Sequence, residues 1–236
     1  MLWLFIPLAF LLGSIPFGLL LGKVKGIDIR EHGSGNIGST NVFRTLGKKS
    51  GIICLILDIL KGFFPVFLAR HFVPDDTGGH TIEVLTALAS ILGHNYSPWI
   101  GFKGGKGIAT SGGALLALMP AAVVILIIIF AIFTFTTKYV SIGSIATGFA
   151  LPIVAIYGSW HHGKIADGTW NKPLFFFSIV AGALAIWKHR SNITRLRAGT
   201  ENKIGQKRRS PNYEISKSHG RGFRLLGNRT RRFFGQ

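Results

Sequence analysis

The sequence predicts an all-α polytopic membrane bundle, and three observations carry that prediction. Of the 236 residues, 48% are hydrophobic, and the mean hydropathy of +0.40 is too high for an ordinary soluble domain. The apolar residues fall in runs long enough to cross hydrocarbon, with short connections between them. Basic residues gather in particular connections and at the C-terminal end, which is how a membrane chain encodes its orientation.

The first run covers residues 2–22. It has no basic segment before it and no A-x-A cleavage site, so it reads as a retained span rather than a signal peptide. Lys23, Lys25, Arg30, Arg44, Lys48 and Lys49 then place the first connection inside and the N-terminus outside. Further runs cover 51–72, 82–97, 108–137, 139–158 and 174–187, giving six by simple count. Six is rejected by charge. From Lys188 onward the chain carries 14 Lys or Arg against Glu201 and Glu214, and an even number of spans would send that tail outside. Met119-Pro120 supplies the missing break, predicting a short helix over 107–119 and a full one over 120–137. Seven transmembrane helices result, with the C-terminus cytoplasmic and the short fourth helix shielded by protein or lining a wet cavity.

Residues 1–204 therefore read as one membrane domain. Residues 205–236 are rich in Arg, Ser, Gly and Asn, and read as a basic, disordered cytoplasmic tail drawn to anionic headgroups. That tail and the formal net charge of +18 do not make a nucleic-acid binder, because no aromatic stacking pattern accompanies the charge. The single cysteine, Cys54, lies in an apolar run and reads as a small buried hydrophobe; no disulfide can form within the chain.

Chemistry concentrates in two polar segments expected on the cytoplasmic face. The first is Gly33-Ser-Gly-Asn-Ile-Gly-Ser-Thr-Asn-Val-Phe-Arg44. It matches G-x-G-x-x-G, and it matches a P-loop except that Ser39 stands where the lysine belongs. A dinucleotide fold needs a preceding strand and an NTPase needs the lysine, so both readings fail. What survives is backbone amides converging on an anion, with Ser34, Asn36, Gly38, Thr40 and Asn41 as polar partners and Arg44 as a bidentate clamp.

In the second segment Lys103 and Lys106 flank Gly104-Gly105 and precede Gly107, so two ammonium groups sit beside backbone with no side chains to hold phosphate away. His94, at the end of the third span, either complements the helix dipole or contacts substrate. A third segment, after the last span, carries His189, Asn192 and Glu201. Asp58 and Lys61 lie one helical turn apart in the second span and read as a structural pair facing the bundle, with Lys61 near the site as the lesser alternative. His71 to Asp76 and His162 to Asp167 share a His-x4-Asp spacing, but both fall on the outer face and read as chance matches. There is no G-x-S-x-G, no H-E-x-x-H and no carboxylate cluster, so serine-hydrolase, zincin and two-metal chemistry have no basis; no metal and no cofactor are expected.

These residues resemble the bacterial acyl-phosphate:glycerol-3-phosphate acyltransferase (PlsY) family. The matching blocks are Gly13-Ser-Ile-Pro-Phe-Gly18, Gly33 to Asn41 with Arg44, Asp58 to Gly62, Gly93-His-Asn with Gly101 to Gly107, and Arg190-Ser-Asn-Ile with Arg195-Leu and Gly199-Thr-Glu201. They run in order over residues 13–201. The resemblance implies a seven-helix enzyme of the bacterial plasma membrane, the inner membrane where an outer one exists. It would move a fatty acyl group from long-chain acyl phosphate to the 1-hydroxyl of glycerol 3-phosphate, giving lysophosphatidic acid and phosphate, an early step of phospholipid synthesis. It further implies inhibition by acyl-CoA and an upstream enzyme that forms acyl phosphate. Ser34 and Arg44 match essential positions of the first motif. Gly104, Gly105 and Gly107 match the second, and His189, Asn192 and Glu201 the third. Ser39, where the resemblance leads to alanine, and the extension after Gly205 depart from the pattern.

An acyl phosphate is an activated anhydride, so positioning and charge neutralisation by Arg44, Lys103 and Lys106 are expected to carry the transfer, with Ser34 as a hydrogen-bonding group. His94, His189 and a substrate phosphate oxygen remain alternative proton acceptors. Two rivals are a transporter of a phosphorylated metabolite and a lipid-binding scaffold. The first is disfavoured by the absence of an internal repeat and by cations gathered on one face. The second leaves three separate polar motifs without a purpose.

Overall fold

The computed structural model describes residues 2–74 and 78–205. Asp76, in one of the two His-x4-Asp matches, and most of the basic tail lie outside the described residues. The structure is helical: α1 (Phe5–Ser14), α2 (Phe17–Val24), α3 (Ser39–Leu46), α4 (Lys48–Phe72), α5 (Gly79–Asn95), α6 (Ile108–Leu118), α7 (Pro120–Thr137), α8 (Val140–His161), α9 (Lys172–Lys188) and α10 (Arg190–Arg197). Four stretches, Leu2–Val24, Lys48–Phe72, Pro120–Thr137 and Val140–His161, are long and apolar enough to cross a membrane. At 17 residues each, α5 and α9 fall just short of that length, and α6 has only 11. Large apolar side chains cover the outside of the bundle, among them Val124, Ile128, Phe149 and Ile153, each more than half exposed. Asn202 to Gly205, the described part of the following unit, holds no helix or strand.

The break expected at Pro120 is present. Proline has no N–H to continue the ladder, and Met119 (φ −148°, ψ 68°) turns the chain between α6 and α7. The truncated end of α6 is capped from another helix: Arg70 Nη1 donates to Ala117 O at 2.7 Å and to Leu118 O at 3.3 Å. Those carbonyls would otherwise lack partners.

A second interruption had not been expected. Ile15-Pro16 splits the first span into α1 and α2, and the carbonyls it frees are taken up by distant side chains. Ser97 Oγ donates to Ser14 O at 2.6 Å, and Lys61 Nζ donates to Ile15 O at 2.8 Å. The first and third polar segments also contain more helix than a loop reading allows, in the form of α3 and α10.

Packing follows small residues. A Cβ on Gly13 would lie 2.2 Å from Ser90 O, and one on Gly93 would lie 2.2 Å from Phe10 O, so α1 and α5 cross backbone to backbone. The same closeness joins α4 to α6, where a Cβ on Gly62 would lie 2.1 Å from Thr110 O. The main apolar core runs from Val66 and Ile91 through Leu115 and Leu126 to Leu151 and Phe177, and it fixes α6 to α9 around one space.

Candidate active site

That space is a partly open cavity of about 320 Å³. Ser34, Asn36, Gly38, Thr40, Asn41 and Arg44 line it from the first segment, Lys106 and Gly107 from the second, and His189, Asn192 and Glu201 from the third; His94 joins them from α5. Ser34, Thr40 and Arg44 are exposed, so they form the mouth. His94, His189, Asn192 and Glu201 are buried and form the interior wall.

The first segment is held by Asn41. Its Nδ2 donates to Ile29 O, His32 O and Asn36 O at 3.2, 3.0 and 2.9 Å, and its Oδ1 accepts from Ser34 N at 2.8 Å. With Asn41 only 1% exposed, its amide is occupied in fastening the loop to α3. Asn36 Oδ1 accepts from Gly38 N at 2.9 Å, completing the turn into the helix. The first turn of α3 then opens on the cavity with no side-chain cap.

The second segment passes through left-handed backbone at Gly101 (φ 62°), Phe102 (φ 60°) and Gly107 (φ 80°). Its two lysines lie in different surroundings. Lys106 faces the cavity, whereas Lys103 is exposed and does not line it. Gly104 and Gly105 are also off the cavity wall. A Cβ on Gly105 would lie 2.0 Å from His94 Nε2 and one on Gly104 would lie 2.0 Å from His94 O, so both glycines make room for His94. Gly105 N also donates to His94 O at 3.0 Å. Beyond Gly107, α6 presents an uncapped N-terminus to the cavity through Ile108 and Ala109.

Charge is arranged in two clusters. Asn192 Oδ1 accepts from Lys106 Nζ, and Asn192 Nδ2 donates to Glu201 Oε1 at 2.7 Å. Glu201 also accepts from Arg195 Nε at 2.7 Å and Ser141 Oγ at 3.2 Å. Burial lowers the Lys106 pKa to about 8, with Arg195 and Arg44 pushing the same way and Glu201 opposing. His189 Nδ1 lies 2.8 Å from Ala185 O. A carbonyl only accepts, so Nδ1 carries the proton and Nε2 is left as an acceptor. Burial, followed by the nearby Lys106 charge, lowers the His189 pKa to about 4, so the ring is neutral at pH 7.

The second cluster is Asp58, Lys61 and His94. Lys61 Nζ sits 2.9 Å from Asp58 Oδ1, both side chains being almost fully buried, and His94 Nδ1 lies 3.7 Å from the same oxygen. The pair is an ion pair, as its spacing predicts, but Asp58 also lines the cavity. Sequence reasoning missed Asp58 and Ser141 as cavity residues because both sit inside hydrophobic runs. An ionisable residue within an apolar span was the available signal for Asp58. Among the described residues, no three His, Cys, Asp or Glu side chains come close enough to hold a metal. His162 and Asp167 are exposed and away from this site, and Asp167 instead accepts from Thr169 N at 2.9 Å.

The family model described as glycerol-3-phosphate acyltransferase matches residues 3–199. The chain belongs to that family. A glycerol-3-phosphate acyltransferase of Desulforamulus reducens is 48% identical over 202 residues, covering 85% of this chain and 94% of that one. The Fusobacterium nucleatum glycerol-3-phosphate acyltransferase is 43% identical over 203 residues, covering 85% of this chain and 96% of its own. Among solved structures, PlsY, an integral membrane glycerol 3-phosphate acyltransferase crystallised in its glycerol 3-phosphate form, is 39% identical. It superposes with a TM-score of 0.75 over 86% of this chain and 96% of its own. Its lysophosphatidic acid form gives a TM-score of 0.74 at 37% identity. As a member of this acyltransferase family, the chain is a multi-pass membrane enzyme.

Proposed function

We propose that this chain transfers a fatty acyl group from a long-chain acyl phosphate to the 1-hydroxyl of glycerol 3-phosphate, giving lysophosphatidic acid and phosphate. One observation carries the reading: two uncapped helix N-termini, of α3 and α6, open onto one cavity that is also lined by two cations, Arg44 from the last turn of α3 and Lys106 just before α6. A helix N-terminus presents free amides and the positive end of a dipole, so this is a site for two phosphates. The names of its relatives supply the acceptor, and the apolar wall of the cavity suits a fatty chain.

In this mechanism the 1-hydroxyl oxygen attacks the acyl carbon, the bond from that carbon to the phosphate oxygen breaks, and the hydroxyl proton ends on phosphate. Like charges about 4 Å apart repel by roughly 1 to 4 kcal/mol, and Arg44 and Lys106 offset that repulsion. Holding the hydroxyl against the acyl carbon contributes several kcal/mol more. His189 Nε2 accepts a hydrogen bond from the hydroxyl and orients it. With a pKa near 4, His189 is a weaker base than a phosphate oxygen, whose second pKa is about 6. Phosphate is therefore the proton acceptor. Ser34 contributes a hydrogen bond at the mouth, Asn192 and Glu201 hold Lys106, and no metal takes part.

This reading takes α1 with α2, and α4 to α9, as seven spans of the bacterial plasma membrane, which is the inner membrane where an outer one exists. The N-terminus lies outside, and the cavity mouth and tail face the cytoplasm. Lys23, Lys25, Lys48 and Lys49, which flank the first segment in sequence, support that orientation. An upstream enzyme supplies the acyl phosphate, and acyl-CoA inhibits through the second segment. The test is conversion of radiolabelled glycerol 3-phosphate by purified protein. Lipid-extractable product is expected with acyl phosphate and not with acyl-CoA or acyl carrier protein; no product with acyl phosphate refutes the proposal.

A further inference from the structure

Beside the break at Ile15-Pro16 lies a second cavity, of about 270 Å³, that shares no lining residue with the reactive one. Pro16, Leu19 and Leu20 line it from the first span, and Trp99 and Ile100 from the second polar segment. Its one charged lining residue is Lys23, which is exposed.

Trp99 is held from within. Its Nε1 donates to Ser14 Oγ at 2.7 Å, and Ser97 Oγ, from the same turn, donates to Ser14 O at 2.6 Å. Ser97 O in turn accepts from Ile100 N at 3.3 Å and Phe102 N at 2.8 Å, so the turn is fastened before anything binds. An indole at a membrane interface ordinarily offers its N–H to the headgroups and its ring to the chains. Here the N–H is spent on a buried serine, and the ring of a residue 65% exposed is left as an apolar wall.

Lys23 closes the stretch Leu2–Val24, which is long and apolar enough to cross a membrane, so its ammonium lies at headgroup level. Leu20, three residues earlier and 44% exposed, lies toward the acyl chains. The Asp28 carboxylate feels the Lys23 charge, but it is already bonded to Arg30 Nη2 at 2.6 Å.

We propose that this groove binds an anionic phospholipid of the surrounding bilayer, with its headgroup at Lys23 and one acyl chain along Pro16, Leu20 and Trp99. The groove opens on the surface of a membrane span, and an apolar trough ending in a cation matches a chain ending in a negative charge. A zwitterionic lipid fills the apolar part equally well, but the ammonium beside its own phosphate reduces what Lys23 gains. Occupancy fastens the second segment, which carries Lys106, to the broken first span. Nothing in this inference depends on the identity of the acyl donor.

The test is photocrosslinking of the full chain in phosphatidylcholine nanodiscs, with trace phosphatidylglycerol or phosphatidylcholine bearing a diazirine in one acyl chain, mapped by peptide mass spectrometry. Phe149 and Ile153, exposed on α8 and lining neither cavity, give the reference labelling for each lipid. Relative to that reference, Leu20 and Trp99 are labelled about fivefold more by the glycerol lipid than by the choline lipid. Lys23→Gln removes the preference, whereas Lys49→Gln, an equal loss of charge at another exposed position, keeps it. Leu20→Trp fills the groove with Lys23 intact and also removes the preference, read at Trp99. Equal labelling by the two lipids in the unaltered protein, or the same effect from Lys23→Gln and Lys49→Gln, overturns the site. Should Leu20→Trp fail to fold, the two lysine variants, both exposed changes, decide alone.

Discussion

Lys106 donates to Asn192 across 86 positions of sequence, and that bond joins the second polar segment to the helix after the last span. Asn192 passes the connection to Glu201, so one amide aligns a cation and its counter-charge.

Removing that amide should misplace the cation. In Asn192→Leu, Glu201 Oε1 keeps only Ser141, and Lys106 loses its fixed partner. A buried polar group left unsatisfied costs about 1 to 3 kcal/mol. Displacing Lys106 by about 1 Å costs around a hundredfold in kcat/KM. Steady-state kinetics alongside thermal melting separates the two effects.

At the mouth, Arg44→Ala and Ser34→Ala should abolish transfer in protein that still inserts and folds. Loss on the order of 10² to 10³ in kcat is expected for Arg44→Ala. Arg44→Lys should recover only part of it, because an ammonium cannot grip a phosphate bidentately. Normal turnover by Arg44→Ala and Ser34→Ala would remove the first segment from the site.

The pH profile follows from two groups. Lys106 binds phosphate as an ammonium and loses its proton as pH rises through about 8, so kcat/KM should fall above that value. On the acid side, phosphate loses its second negative charge below about 6, so activity should fall there too. Bound phosphate raises the Lys106 pKa again, so the alkaline limb of kcat should lie at higher pH than that of kcat/KM. A Lys106→Arg variant should lose the alkaline limb, whatever its absolute rate.

Gly105→Ala should inactivate without touching substrate. The new methyl would meet the ring of His94, which is 4% exposed and has no room to retreat. Lower kcat and a lower melting temperature are expected together.

Arg70→Ala should act on stability alone. It strips the last carbonyls of α6 of their donor, at a cost of about 1 to 3 kcal/mol. Since Arg70 does not line the cavity, kcat of the folded fraction should hold.

How far the sequence spoke depends on how local each cause was. Proline has the same missing N–H anywhere, so the break at Pro120 was readable from Met119-Pro120; Pro16 carried the same signal, and its break went unread inside an otherwise uniform apolar run. Helices α3 and α10 were hidden by glycine and polar residues that resemble a loop. Lys103 and Lys106 are indistinguishable in a string, and only the path of the folded backbone leaves one exposed and the other at the cavity. Gly104 and Gly105 suggested room for phosphate, and the room is taken by His94.

By itself the sequence determined the material: an apolar helical chain, cations gathered in particular segments, and polar motifs that match one enzyme family. Those are properties of composition and short spacing, and they need no fold to be read. The tertiary structure decided which groups share a cavity, because Asp58 and Ser141 reach it from inside hydrophobic spans and Asn192 finds Lys106 only when α6 and α10 are brought together. A contact between distant residues depends on how helices cross, and here glycines that admit backbone to backbone set those crossings.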